Sequence, residues 1–209
     1  MADTASKKLN SKKEKTVEKI GGNLIFCDCD GVLTSIADGT SFLLLDPTVY
    51  RPSKKKVDLL KKLADETGSK IVITSNWRKF DDDGYYSYHG VRFNNPFPKL
   101  RRMLKGYIYS ELPPERHMTK AECMILWLEE HSEFTGNFVV FDDDPRENFA
   151  KTSDYKICKK YIETSPQTGL TAQDAEDAKK ILLEGGDAPR RKYEKLGAVR
   201  LDIAKWTKD

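Results

Sequence analysis

The sequence predicts an α/β domain, three layers deep (α/β/α), around a mostly parallel, Rossmann-like sheet. Apolar runs of strand length occur at residues 24–29, 70–74 and 138–142. Segments of helical periodicity separate them, and strands joined through helices pair in parallel with right-handed crossovers. Each run also ends in polar residues: Asp28 and Asp30, then Thr74, Ser75 and Asn76, then Asp142, Asp143 and Asp144. In an open parallel sheet, ligands sit at the carboxyl ends of the strands. At 209 residues the chain can bury one full core, so a single domain over 21–209 is expected after a basic N-terminal segment at 1–20.

That first segment carries six lysines against three acids within residues 1–19 and is expected to be disordered. Strand one follows, Leu24 to Cys29, broken by Gly31. Residues 35–51 hold an apolar patch (Phe42 to Leu45) that either covers the site or simply leads to the first helix. That helix should begin near Ser53, turn Val57, Leu60, Leu63 and Ala64 toward the sheet, and stop at Gly68. Lys70 to Thr74 is the second buried strand.

Residues 79–118 interrupt the rhythm with a turn at Asp81–Gly84, breakers at Asn94-Asn95-Pro96 and Pro113-Pro114, and a short helix around Leu100 to Leu104. A small substrate-side insertion is expected here rather than a large cap domain, because long connections carry binding residues. Thr119 and Glu122 have capping-box spacing and open a helix with an apolar stripe of Cys123, Met124, Trp127 and Leu128. Phe138 to Asp142 is the third buried strand, a weaker one falls within 155–162, and Thr171 with Asp174 caps a helix ended by Gly185-Gly186. The tail, with Val199 to Ile203 and Trp206, is apolar enough to pack back.

Composition narrows the classes. Charged residues make up 33% of the chain, yet the formal net charge is only +3, so the distribution of charge matters more than its sum. Between Lys99 and Lys120 there are six basic residues against two acids, and from 189 to 209 seven against three. Basic stretches interleaved with aromatics suit a polyanion. The four cysteines lie in apolar or strand-like contexts without zinc-ligand spacing, so reduced thiols are expected. No stretch approaches the roughly 18 apolar residues of a membrane span, and the polar N-terminus lacks a signal peptide's apolar core. The expectation is a cytoplasmic protein with no membrane partner.

The chemistry lies in the aspartates. Five at two strand ends would repel strongly unless they bound a cation, and hard oxygen ligands of this kind suit Mg2+. The run Asp28-Cys-Asp30-Gly-Val-Leu-Thr34 resembles the first motif of the haloacid-dehalogenase-like (HAD) phosphohydrolases. Thr74 or Ser75 resembles the second motif's hydroxyl. Thr74 is preferred because it directly follows the apolar run, and Ser75 is the alternative. Lys120 resembles the third motif's basic residue, and Asp142 and Asp143 the fourth motif's metal-holding acids.

That resemblance implies phosphoryl transfer in two steps. Asp28 attacks phosphorus to form an aspartyl-phosphate, and Asp30 serves as acid and then base. Mg2+ is held by Asp28, Asp30 (through its carbonyl) and Asp142 or Asp143, and Lys120 balances the phosphoryl oxygens. Thr74-Ser-Asn-Trp-Arg78, Lys120 with Trp127-Leu128, and Thr164-Ser-Pro-Gln-Thr-Gly-Leu-Thr171 resemble, more closely, the HAD domain found in Swiss Army Knife RNA repair proteins. The likeness spans about residues 22–184. The family pattern has Ser-Ser-Trp-Arg where this chain has Ser75-Asn-Trp-Arg78, and an arginine where it has Lys120.

The expected function is therefore a Mg2+-dependent phosphomonoesterase acting on a phosphorylated substrate, with RNA or DNA ends as the candidates the family implies. The alternatives are a small-molecule phosphatase, a phosphoprotein phosphatase and a non-catalytic nucleic-acid-binding protein. Candidate substrate contacts are Trp77 and Arg78, as stacking ring and phosphate grip, together with Tyr85, Tyr86, His89 and Arg92. Each has a competing role in packing or surface charge. Oligomeric state is left open.

Overall fold

A computed structural model describes residues 22–79, 84–113, 118–144, 157 and 159–189. The expected disordered N-terminus, the tail at 190–209, the acidic turn at 81–83 and Cys158 lie outside these residues, and the weaker strand expected within 155–162 forms at its end, Tyr161–Glu163. The main sheet has five strands: β1 (Asn23–Cys27), β2 (Ser69–Ile73), β5 (Ile108–Glu111), β6 (Phe138–Asp142) and β7 (Tyr161–Glu163). Their spatial order is β5-β2-β1-β6-β7, and every neighbouring pair is parallel.

Alternation along the strands builds the two outer layers. Ile25 and Cys27, Ile71 and Ile73, and Val139 and Phe141 face one side, packed with α1 (Lys54–Thr67) and α4 (Ala172–Glu184). Leu24, Phe26, Val72 and Val140 face the other, against Cys123, Met124 and Trp127 of α3 (Lys120–Glu130). The result is the three-layer α/β/α arrangement expected.

The helix ends follow their local chemistry. Thr119–Glu122 and Thr171–Asp174 form complete capping boxes, which satisfy otherwise orphaned N–H groups. Gly68 takes the left-handed conformation (φ 62°) that closes α1, as a glycine does readily. Ser53 caps α1 by position, but its hydroxyl donates to Asp38 instead (2.6 Å).

Strand one ends at Cys27, two residues earlier than expected, because the chain turns at Asp28 and Gly31 takes φ 65°. The stretch from 79 to 118 divides in two. Tyr85–Tyr88 (β3) and Val91–Asn94 (β4) form a separate antiparallel hairpin, and Phe97–Met103 is α2, but β5 joins the main sheet as its edge. His89 and Gly90 both have positive φ (47° and 75°), the geometry of a tight two-residue hairpin turn. Cys27, Cys29 and Cys123 are free and buried. Among the described residues no helix is long and apolar enough to cross a membrane.

Candidate active site

Chain order reverses between β1 and β6, the switch point where an open parallel sheet leaves a crevice. Cys27 pairs with Phe141 and also with Ile73. The next residue on each strand is Asp28, Asp142 and Thr74, so the register alone sets these three side by side. Carboxylate oxygens of Asp28, Asp142 and Asp143 all lie within 4.8 Å of one another.

Lys120, the first residue of α3, reaches into this cluster. Its Nζ is 2.7 Å from Asp142 Oδ2 and 3.2 Å from Asp28 Oδ1. Burial works against its charge, but Asp28 and Asp142 more than offset that and hold its pKa above the ordinary lysine value. Asp142 is fully buried, and its other oxygen accepts from the Asp144 amide (2.9 Å). Its carboxyl is raised by burial and by Asp28. Asp143 has no hydrogen-bond or ion-pair partner among the described residues. Burial, then Asp28 and Asp142, push it up to about 8.

Gly31 makes room for that arrangement. A Cβ there would lie 2.6 Å from Asp143 Cβ and closer still to the carboxylate. The loop is braced from across the sheet. Gly31 accepts a hydrogen bond from Thr164 Oγ1 (2.8 Å), and Leu170 donates its amide to Val32 (2.8 Å). Gly169 (φ 61°) lies against Val32 O and the buried Lys56 chain, so the segment Thr164–Thr171 acts as a buttress for the Asp28 loop.

Asp30 is turned away from the cation cluster. Its carboxylate accepts from Trp77 Nε1 (2.7 Å), from Tyr50 OH (3.0 and 3.1 Å to its two oxygens) and from Thr34 Oγ1 (3.4 Å). Burial and then Asp28 raise its pKa to about 7, against the pull of Trp77 and Tyr50. Among the acids assigned to the metal, Asp30 therefore has its side chain committed elsewhere.

The second polar cluster also divides. Thr74 Oγ1 is buried with no hydrogen-bond partner among the described residues. Ser75, although only 1% exposed, borders the cavity, and its hydroxyl accepts from the Trp77 amide (3.3 Å). Trp77 is 3% exposed, borders the cavity, and spends its indole N–H on Asp30. Arg78 does not reach the cavity lining; its guanidinium clasps the carbonyls of Thr74, Ser75 and Leu112. It ties the turn after β2 to the end of β5.

The site opens into a cavity of about 540 Å3 bordered by Asp28, Asp30, Lys120 and Asp143 and also by Phe42 and Tyr86. Phe42 packs edge-on against Tyr50, Tyr86 and Tyr88, with ring centroids 5.1 to 6.0 Å apart. The tyrosine-rich hairpin thus has two faces. Tyr86 and Tyr88 pack inward with Phe42, while Tyr85, His89 and Arg92 are exposed and outside the cavity lining. Arg92 lies over the Tyr85 ring at 3.6 Å.

Sequence reasoning missed Tyr50 and Lys79 as residues bordering the cavity. Tyr50 lies 20 residues from the acid it touches, and no local pattern signals such a contact. Lys79 follows directly from the Trp77-Arg78 pair and was within reach of the same motif.

A family profile described as the HAD domain in Swiss Army Knife RNA repair proteins matches residues 24–175. The chain belongs to this HAD family. The match begins in β1 and runs into α4, so it takes in both strand ends that carry the acids, Lys120 and the 164–171 buttress. Searches of curated proteins and of solved structures found no match.

Proposed function

We propose that the protein is a magnesium-dependent phosphomonoesterase that works through an aspartyl-phosphate on Asp28, with phosphorylated nucleic-acid ends as its substrate. One observation carries the chemistry: the carboxylates of Asp28, Asp142 and Asp143 crowd together with a single lysine among them, while Asp30 is held apart by neutral donors.

The donor set fits Mg2+, a hard cation that favours carboxylate and carbonyl oxygens. Asp28 and Asp143 border the cavity. These two, with Asp142 and the Asp30 carbonyl, would hold the ion. When bound, it would neutralise charge on the phosphoryl oxygens.

The rest falls to the protein's own groups. Lys120 lies 3.2 Å from Asp28, the carboxylate that attacks phosphorus. Ser75, at the cavity edge, is the hydroxyl placed to bind a phosphoryl oxygen in this reading, in preference to the sealed Thr74. Asp30 donates a proton to the leaving oxygen and afterwards takes one from the water that hydrolyses the intermediate.

The family link supports nucleic-acid ends. The aromatic wall that Phe42 and Tyr86 add to the cavity of the acids, about 540 Å3 in volume, supports an ester of limited size. The same wall supports a second reading, a phosphatase of free nucleotides or similar small esters.

The test is Mg2+-dependent phosphate release from 3′- and 5′-phosphorylated RNA and DNA oligonucleotides, free nucleotides, sugar phosphates and a phosphopeptide, each beside Asp28→Asn. Turnover of one oligonucleotide end well above the small esters, lost in the variant, is the expected result. Turnover of small esters alone would transfer the assignment to them. Silence throughout would remove the phosphatase reading.

A further inference from the structure

We propose that Tyr50 and Trp77 are positioning residues for proton transfer: they hold the Asp30 carboxyl at the cavity, separate from the carboxylates gathered around Lys120. The inference deepens the phosphomonoesterase reading and rests on it. Asp28 and Asp30 are two residues apart on one tight loop, and both border the same cavity. Left to electrostatics, both would turn to Lys120 or to a shared cation. Only Asp28 does so, at 3.2 Å.

Asp30 instead meets an indole N–H at 2.7 Å on one oxygen and a phenol O–H shared between both. Neither donor brings a charge. Lys120 makes an ion pair with Asp28, whereas an indole and a phenol orient the Asp30 carboxyl without one. The donors are themselves fixed. Trp77 and Tyr50 pack edge-on at 5.6 Å, and Tyr50 does the same with Phe93 at 5.3 Å and Phe42 at 6.0 Å. Three separate chain segments thereby lock two hydrogen-bond donors on one acid. Residues 35–51 acquire a purpose that their composition does not reveal, which is to return Tyr50 to the loop it left.

In the step served, an Asp28 oxygen forms a bond to phosphorus as the bond to the leaving oxygen breaks. The electron pair stays on that oxygen, and the proton from Asp30 converts it to a neutral alcohol. An alkoxide needs that proton; a dinitrophenolate departs without it.

Trp77→Phe and Tyr50→Phe are therefore to be compared on an alkyl phosphate, such as a phosphorylated oligonucleotide end, and on 2,4-dinitrophenyl phosphate. The value of kcat/KM reports the steps up to the first irreversible one. On the alkyl ester it should fall about ten- to a hundredfold, and on the dinitrophenyl ester much less. Equal losses on both would overturn the positioning role while leaving the phosphatase reading intact.

A second readout needs no turnover. The Trp77 indole 1H–15N resonance, identified by its loss in Trp77→Phe, should move in Asp30→Asn; a stationary resonance would overturn the contact. Should Trp77→Phe fail to fold, Tyr50→Phe removes a single hydroxyl and carries the same test. A wild-type protein silent on both esters would overturn the phosphatase reading and this role together.

Discussion

Replacing Lys120 with methionine removes the one cation among the described residues that reaches both Asp28 and Asp142, at 3.2 and 2.7 Å, from a site where the lysine side chain is 12% exposed and the Asp142 side chain fully buried. Methionine keeps most of the volume, so the loss is electrostatic. Breaking a buried pair by removing one partner costs about 3–5 kcal/mol, because the other charge is left uncompensated.

The pH dependence follows with a definite sign. Without Lys120, burial and Asp28 hold the Asp142 carboxyl further above the ~3.9 at which an unfolded chain's aspartates titrate. Folding then takes up protons, and stability rises as pH falls. Urea unfolding in the absence of divalent cation should show the full deficit at pH 8 and a much smaller one at pH 5, while Lys120→Arg retains most of the stability. A deficit that stays constant across this range, or grows on acidification, would refute the reasoning.

Three further outcomes follow from the same geometry. In the metal-free wild type, Asp30 and Asp143 have carboxyls raised by burial and by Asp28, to about 7 and about 8. Their contribution is favourable below those values, so stability should decline from pH 5 to pH 8, by about 1–3 kcal/mol given their partial exposure. Mg2+ should flatten the decline in urea titrations, and a rise with pH would contradict the account. Gly31→Ala should lower stability by at least about 1–2 kcal/mol from left-handed strain alone and weaken Mg2+ binding by calorimetry, since its Cβ collides with Asp143. Arg78→Lys loses the clasp on three carbonyls and should cost about 2 kcal/mol in thermal unfolding with little change in affinity for inorganic phosphate; a large loss of that affinity would restore Arg78 as a phosphate ligand.

Much of this fold was legible because its determinants are local. Thr119 with Glu122, Thr171 with Asp174, and Gly68 each act within a turn of their own helix, and their caps formed as read. The aspartate clusters were legible because strand ends converge in any parallel sheet. The missed edge strand Ile108–Glu111 is short and half-buried along its length, so it shows neither the full burial nor the clean alternation of a strand. The hairpin did leave a signal, with alternating residues on both sides of His89-Gly90, that the run of tyrosines obscured.

The site's supporting residues were the least legible. Arg78 satisfies backbone carbonyls, and Trp77 and Tyr50 serve an acid 47 and 20 residues away. Such contacts depend on the assembled tertiary structure, and residue type alone left Trp77 and Arg78 divided between substrate contact and a structural role.

The central claim is that Asp28 carries the phosphoryl group. The most direct measurement is acid quenching of the enzyme during turnover, followed by mass spectrometry of the peptide containing Asp28. The account predicts one phosphoryl group on Asp28, formed only with Mg2+ and substrate and absent from Asp28→Asn. Phosphate release that proceeds with no phosphorylated enzyme, or with the group on another residue, would contradict it.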